Sequence, residues 1–153
     1  MVIKMYIPYL SRNNIIKKRI MKTIFLYYLL SYFATPMQNI NLEVNISGIH
    51  SHNGKIFIGV YDSKEKFGDI KNVVDGIVIE ATQSQISHIF NLPKGIYAVA
   101  VFHDENNNGK LDKNMIGFPK EGYGFSSKNN KLGFSNARFH LVENKTMLIN
   151  LKY

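Results

Sequence analysis

The sequence predicts an all-β domain, a two-sheet sandwich of seven strands, set behind an N-terminal export signal. Three observations carry this. Beyond residue 39, apolar residues either alternate with polar ones or gather in short β-branched and aromatic runs. Turn signals rich in Gly, Asn and Pro recur at the spacing of a sandwich. No stretch of the same region keeps a helical period for more than a turn or two. At 153 residues, 45% of them apolar and 12% aromatic, the chain can fill one core and not two.

The first segment is distinct in charge. Residues 1–34 hold six basic residues (Lys4, Arg12, Lys17, Lys18, Arg19, Lys22) and no acid. The formal +8 of the whole chain therefore shrinks to +2 over residues 35–153, and the case for a nucleic-acid surface goes with it. Ile24 to Ala34 is an uncharged run that stops before Thr35-Pro36, the layout of a secretory signal peptide. The expected division is a signal peptide over 1–34, with Met21 as an alternative start, and one domain over 35–153. An uncleaved signal-anchor is the competing reading, because Tyr32 is a poor fit to the small-residue cleavage pattern. The apolar run falls short of the roughly 20 residues of a spanning helix, so no stable membrane span is expected after cleavage. The chain has no cysteine, which excludes a lipoprotein anchor and a disulfide framework. The address implied is the periplasm, the cell surface or the extracellular space.

Ile40, Leu42, Val44 and Ile46 alternate with Asn41, Glu43 and Asn45, one buried face of a first strand. Asn53-Gly54 is a hairpin signal, so Lys55 to Tyr61 is expected to pair back on it. Asp62 to Gly68 reads as a loop or one helical turn. Gly76–Ala81 and Ile86–Leu92 supply two further strands, and Pro93-Lys94-Gly95 turns into Ile96–Phe102, the most apolar stretch and the expected central strand. After a polar, Gly- and Asn-rich region from His103 to Asn136, Ala137–Val142 and Thr146–Lys152 form an expected closing hairpin.

The chemistry sits directly after the central strand, in Asp104-Glu-Asn106-Asn-Asn108-Gly109-Lys110-Leu-Asp112. Side-chain oxygens at the first, third, fifth and ninth places, Gly at the sixth and a carbonyl at the seventh follow the pattern of a calcium loop, in which alternate residues turn oxygens inward and Gly takes the sharp bend. Asp104, Asn106, Asn108, the Lys110 carbonyl and Asp112 would be the ligands, joined by Glu121 or water. Met115 stands where the bidentate Glu of such loops is usual, and two ligands are neutral, so the affinity expected is weak, on the order of 10⁻⁴–10⁻³ M. A plain Asn-Gly turn fits the same residues.

The region continues as Gly117-Phe-Pro-Lys-Glu121-Gly-Tyr123-Gly-Phe125-Ser126. Its aromatics either form a recognition surface, with Glu121, Tyr123 and Phe125 as its members, or cover the open end of the core. The five histidines lack zinc spacing, and no nucleophile elbow, phosphate loop or dinucleotide fingerprint is present.

The run Leu92-Pro-Lys-Gly-Ile-Tyr-Ala-Val-Ala-Val-Phe-His-Asp-Glu-Asn-Asn-Asn-Gly-Lys-Leu-Asp112, followed by Gly117 to Ser126, resembles the core signature of the DUF2141 family of exported bacterial proteins. The resemblance spans nearly all of the chain after the signal. It implies export and a compact β-sandwich of immunoglobulin-like or transthyretin-like type, and it carries over no catalytic residue. Ser135-Asn136-Ala137 departs from it where an acidic residue is common.

The leading expectation is an exported, non-catalytic sandwich module, with a protein or cell-surface partner, whose calcium loop orders a recognition surface. A hydrolase or isomerase is the first alternative; it would need His103, Asp104, Glu121 and Tyr123 to meet at one pocket. A carrier of a small apolar ligand is the second, and it would need an enclosed apolar cavity or a dimer with a channel.

Overall fold

The structure, a computed structural model, describes residues 7–32 and 39–153. Two compact units divide the chain, Met1–Met37 and Gln38–Tyr153. The first holds helix α1 (Ile7–Tyr32). Among the described residues no helix is long and apolar enough to cross a membrane. The expected cleavage point after Ala34 lies outside the described residues.

The second unit is all-β, as expected, and its strands lie in two sheets. They are β1 (Ile40–Ser47), β2 (Lys55–Tyr61), β3 (Asp75–Glu80), β4 (Ile86–Leu92), β5 (Gly95–Asp104), β6 (Tyr123–Phe125), β7 (Phe139–Leu141) and β8 (Lys145–Asn150), with a one-turn helix α2 (Phe134–Ala137) before β7. One sheet has the order β4-β1-β8, with β1 and β8 parallel. The other runs β3-β2-β5-β6, and β7 pairs with the first residues of β5. The expected central strand is central: β5 pairs with β2, β6 and β7.

Three expectations are corrected. The described residues hold eight strands where seven were expected, because Tyr123–Phe125 adds a short strand from within the polar region. β1 and β2 are not a hairpin; they belong to different sheets, and the turn at Asn53-Gly54 is a crossing between layers. β7 and β8 likewise divide, β7 to β5 and β8 to β1, and Ala137 belongs to α2. The physical reason is common to both turns. An apolar face is buried between the layers whichever sheet its strand joins, so a turn signal encodes a reversal of the chain and not the partner that the next strand pairs with.

The core lies between the sheets. Leu42, Val44 and Ile46 from β1, Phe90 from β4 and Ile149 from β8 meet Ile56, Ile58 and Val60 from β2 and Val99 and Val101 from β5. Truncating one of these large side chains to Ala would cost about 2–5 kcal/mol. The two outward faces differ. On the three-stranded sheet Glu43 accepts from Ser87 and Thr146, and Asn91 donates to Asn41, a polar lattice exposed to water. On the larger sheet the outward residues include Phe57, Tyr61, Ala98, Ala100 and Phe102, which water-facing strands do not require.

Candidate functional site

The polar loop leaves β5 at a position where backbone packing is tight. Gly54 has φ of 78°, and a Cβ there would lie against the Asp104 carbonyl oxygen. The turn of residues 51–54 thus rests on the start of the loop. His103, the preceding residue, is fully buried on the core side of β5. Its Nε2 lies 2.7 Å from the Asn53 carbonyl and its Nδ1 2.7 Å from the Tyr153 hydroxyl. A carbonyl can only accept, so Nε2 carries a proton, and in the neutral ring Nδ1 then accepts from the Tyr153 hydroxyl.

Asp104, buried at 1% exposure, points the other way. Its Oδ1 accepts the Asn108 N–H at 3.0 Å and its Oδ2 accepts the Gly109 N–H at 2.7 Å. These bonds bend the chain round Gly109, whose φ of 77° is the left-handed conformation a Gly adopts without strain. The Asn106 and Asn108 amides donate to Oδ2 of Asp112 at 2.7 and 3.0 Å. Those two donors, Asn108 first, hold the Asp112 carboxyl below the usual carboxylate range, with Lys110 and Lys120 adding to the effect. Asp104, Asn106, Asn108 and Asp112 are thus brought together round one bend. Among the described residues no three His, Asp or Glu side chains stand close enough to hold a metal by themselves. Any cation here would depend on the amide oxygens and the Lys110 carbonyl.

Glu121 has a separate place. Buried at 5% exposure, it accepts the Glu105 N–H at 3.1 Å through Oε1 and the Asp112 N–H at 2.9 Å through Oε2. It ties both flanks of the loop to the segment that enters β6. Tyr123 and Phe125, half-buried, lie on the outward face of the larger sheet and do not close the end of the core.

That face carries a cleft of about 630 Å³, within the range of small-molecule sites. Strand register explains it. Val78, Phe57, Phe102 and Tyr123 are successive partners across β3, β2, β5 and β6, and they form an apolar ridge in which Phe57 and Phe102 stack at 4.6 Å. The next row, Gly76, Gly59, Ala100 and Phe125, is low through its first three members. Val73 packs over Gly59 and Gly76, and Ile70 with Lys110 and Leu111 of the polar loop adds to the lining. Apart from Tyr123, Phe125 and Lys110, none of these residues carries a local motif that marks a site. The available signal was that Phe57, Gly59 and Tyr61 make the outward positions of β2 as apolar as the inward ones.

The four groups of the hydrolase alternative do not meet. His103 faces the core, Asp104 and Glu121 bond to loop N–H groups, and only Tyr123 of the four lines the cleft.

A family model described as an uncharacterized protein conserved in bacteria (DUF2141) matches residues 44–149. No curated protein and no solved structure matches the chain.

Proposed function

The chain belongs to the DUF2141 family of bacterial proteins, and we propose that it works as an exported, non-catalytic binding module whose Asp104–Asp112 loop takes a calcium ion and thereby sets a recognition surface. The observation that carries this reading is the Glu121 clamp. One buried carboxylate holds N–H groups from both flanks of the loop, so a change in loop conformation is passed to Tyr123 and Phe125. Each Asn oxygen that accepts a backbone N–H, Asn106 from Asn108 and Asn108 from Lys110, keeps a second lone pair for a cation. The amide donors on Asp112 would give way as the cation takes over that carboxylate. Export rests on the basic-then-apolar N-terminal segment, and the absence of cysteine makes ion binding a useful source of stability in that setting.

Calorimetric titration of the full chain with calcium tests the loop. Heat that saturates with a dissociation constant on the order of 10⁻⁴–10⁻³ M, and that disappears in Asp112→Asn, supports it; no heat at millimolar calcium rejects it.

The cleft favours a second reading of what the surface recognises, the carrying of a small apolar ligand. It is open to solvent, in contrast to the enclosed cavity expected of such a carrier, and its walls are mainly aliphatic and aromatic. Uptake of N-phenyl-1-naphthylamine, lost in Val78→Asp, is the outcome this reading requires; equal uptake by both proteins removes it.

A further inference from the structure

Beyond the calcium loop the chain forms a tight projection. Lys113 bridges to Pro119, the Asn114 N–H donates to the Phe118 carbonyl at 2.8 Å, and the Lys120 N–H donates to the Asp112 carbonyl at 2.8 Å. The Asn114 side-chain oxygen accepts from both Ile116 and Phe118, each at 3.0 Å. This bracing presents Met115, Ile116 and Phe118 outward at 105%, 81% and 65% exposure. Three large apolar side chains within four residues, on a hydrogen-bonded turn, are costly to leave in water unless something covers them. Lys110, Lys113 and Lys120 stand exposed round the base of the same projection.

We propose that this tip docks on an anionic lipid surface, with Met115, Ile116 and Phe118 entering the headgroup–acyl boundary and the three lysines facing the lipid phosphates. An apolar point within a basic collar matches the layering of such a surface, apolar inside and negative outside. Charge complementarity also predicts calcium dependence, a part of the proposal that rests on the loop reading above. From Asp104 to Glu121 there are four acids (Asp104, Glu105, Asp112, Glu121) against the three lysines, a net of −1 that one calcium ion turns to +1.

The chain has no tryptophan, so Phe118→Trp introduces a single local reporter into the full-length protein. The position is exposed, and the substitution leaves the core untouched. With phosphatidylglycerol/phosphatidylcholine vesicles, the Phe118→Trp emission shifts to the blue and is quenched by brominated acyl chains. Trp placed at Leu148, exposed on the polar face of the smaller sheet, stays at its aqueous wavelength. Adding Lys113→Glu and Lys120→Glu to Phe118→Trp raises the lipid concentration at half-shift by roughly tenfold or more, given about 1 kcal/mol per basic residue near such a surface. A Phe118→Trp emission that neither shifts nor is quenched on these vesicles overturns the proposal, as does an equal response on pure phosphatidylcholine. Equal half-shift concentrations in calcium and in chelator overturn the calcium dependence while leaving tip insertion in place, and the loop itself stands or falls on the calorimetric titration.

Discussion

The backbone N–H of Asp112 donates to Glu121 at 2.9 Å across nine residues of chain, while the other oxygen of the same carboxylate holds Glu105. Glu121→Gln keeps the shape but turns one acceptor into a donor facing an N–H. The expected loss is about 1–3 kcal/mol, read as a lower urea midpoint with an unchanged m-value. The same variant should bind calcium more weakly, because the loop it steadies is no longer held from both flanks.

Two glycines of positive φ separate close approach from simple strain. Gly109, with φ of 77°, has open space where a Cβ would stand, whereas Gly54 would place its Cβ against the Asp104 carbonyl. Gly109→Ala should cost about 1 kcal/mol, the price of a left-handed residue. Gly54→Ala should cost several times more, since the layer-crossing turn must lift off the loop. Paired denaturant melts test the ranking, and equal losses would contradict the packing described.

Tyr153 completes the hydrogen bonding of buried His103. Tyr153→Phe leaves Nδ1 an acceptor without that donor, at an expected cost of roughly 1–2 kcal/mol. The ¹⁵N shift of Nδ1 should move toward that of a free acceptor while Nε2 remains protonated on the Asn53 carbonyl. A proton found on Nδ1 in the native protein would contradict the tautomer assigned.

Burial, with a smaller push from Asp69, raises the Tyr61 phenol to about 12. A raised folded-state value favours the protonated native form. This contribution to stability is therefore full below the unfolded value near 10 and is lost as pH climbs toward 12. In an ultraviolet difference titration, Tyr61→Phe should remove a late-ionising tyrosine. Unchanged late absorbance in Tyr61→Phe would count against this.

Much of the body was legible because single-face burial writes itself into sequence. Ile40, Leu42, Val44 and Ile46 alternate in the chain and all four are buried in β1, and the apolar run of β5 is the central strand it promised to be. Pairing was not legible. Asn53-Gly54 carries the same signal whether the chain folds back on itself or crosses to another layer. β6 is three residues long, too short for any period to declare it. At the site, the spacing of Asp104, Asn106, Asn108 and Asp112 announced their convergence, while the anchoring of Glu121 depends on contacts that no local spacing encodes. The cleft stayed hidden for a related reason: its ridge is assembled from four strands, one residue from each.

The measurement closest to the central claim is the thermal midpoint of the full chain in calcium and in chelator. With free ion tenfold above the dissociation constant, binding to the native loop adds about 1.4 kcal/mol, and the midpoint should rise by roughly 4–6 °C for a domain of this size. Asp112→Asn should abolish the rise. A midpoint that is the same in millimolar calcium and in chelator would contradict calcium binding and leave Asp104 to Asp112 a hydrogen-bonded turn.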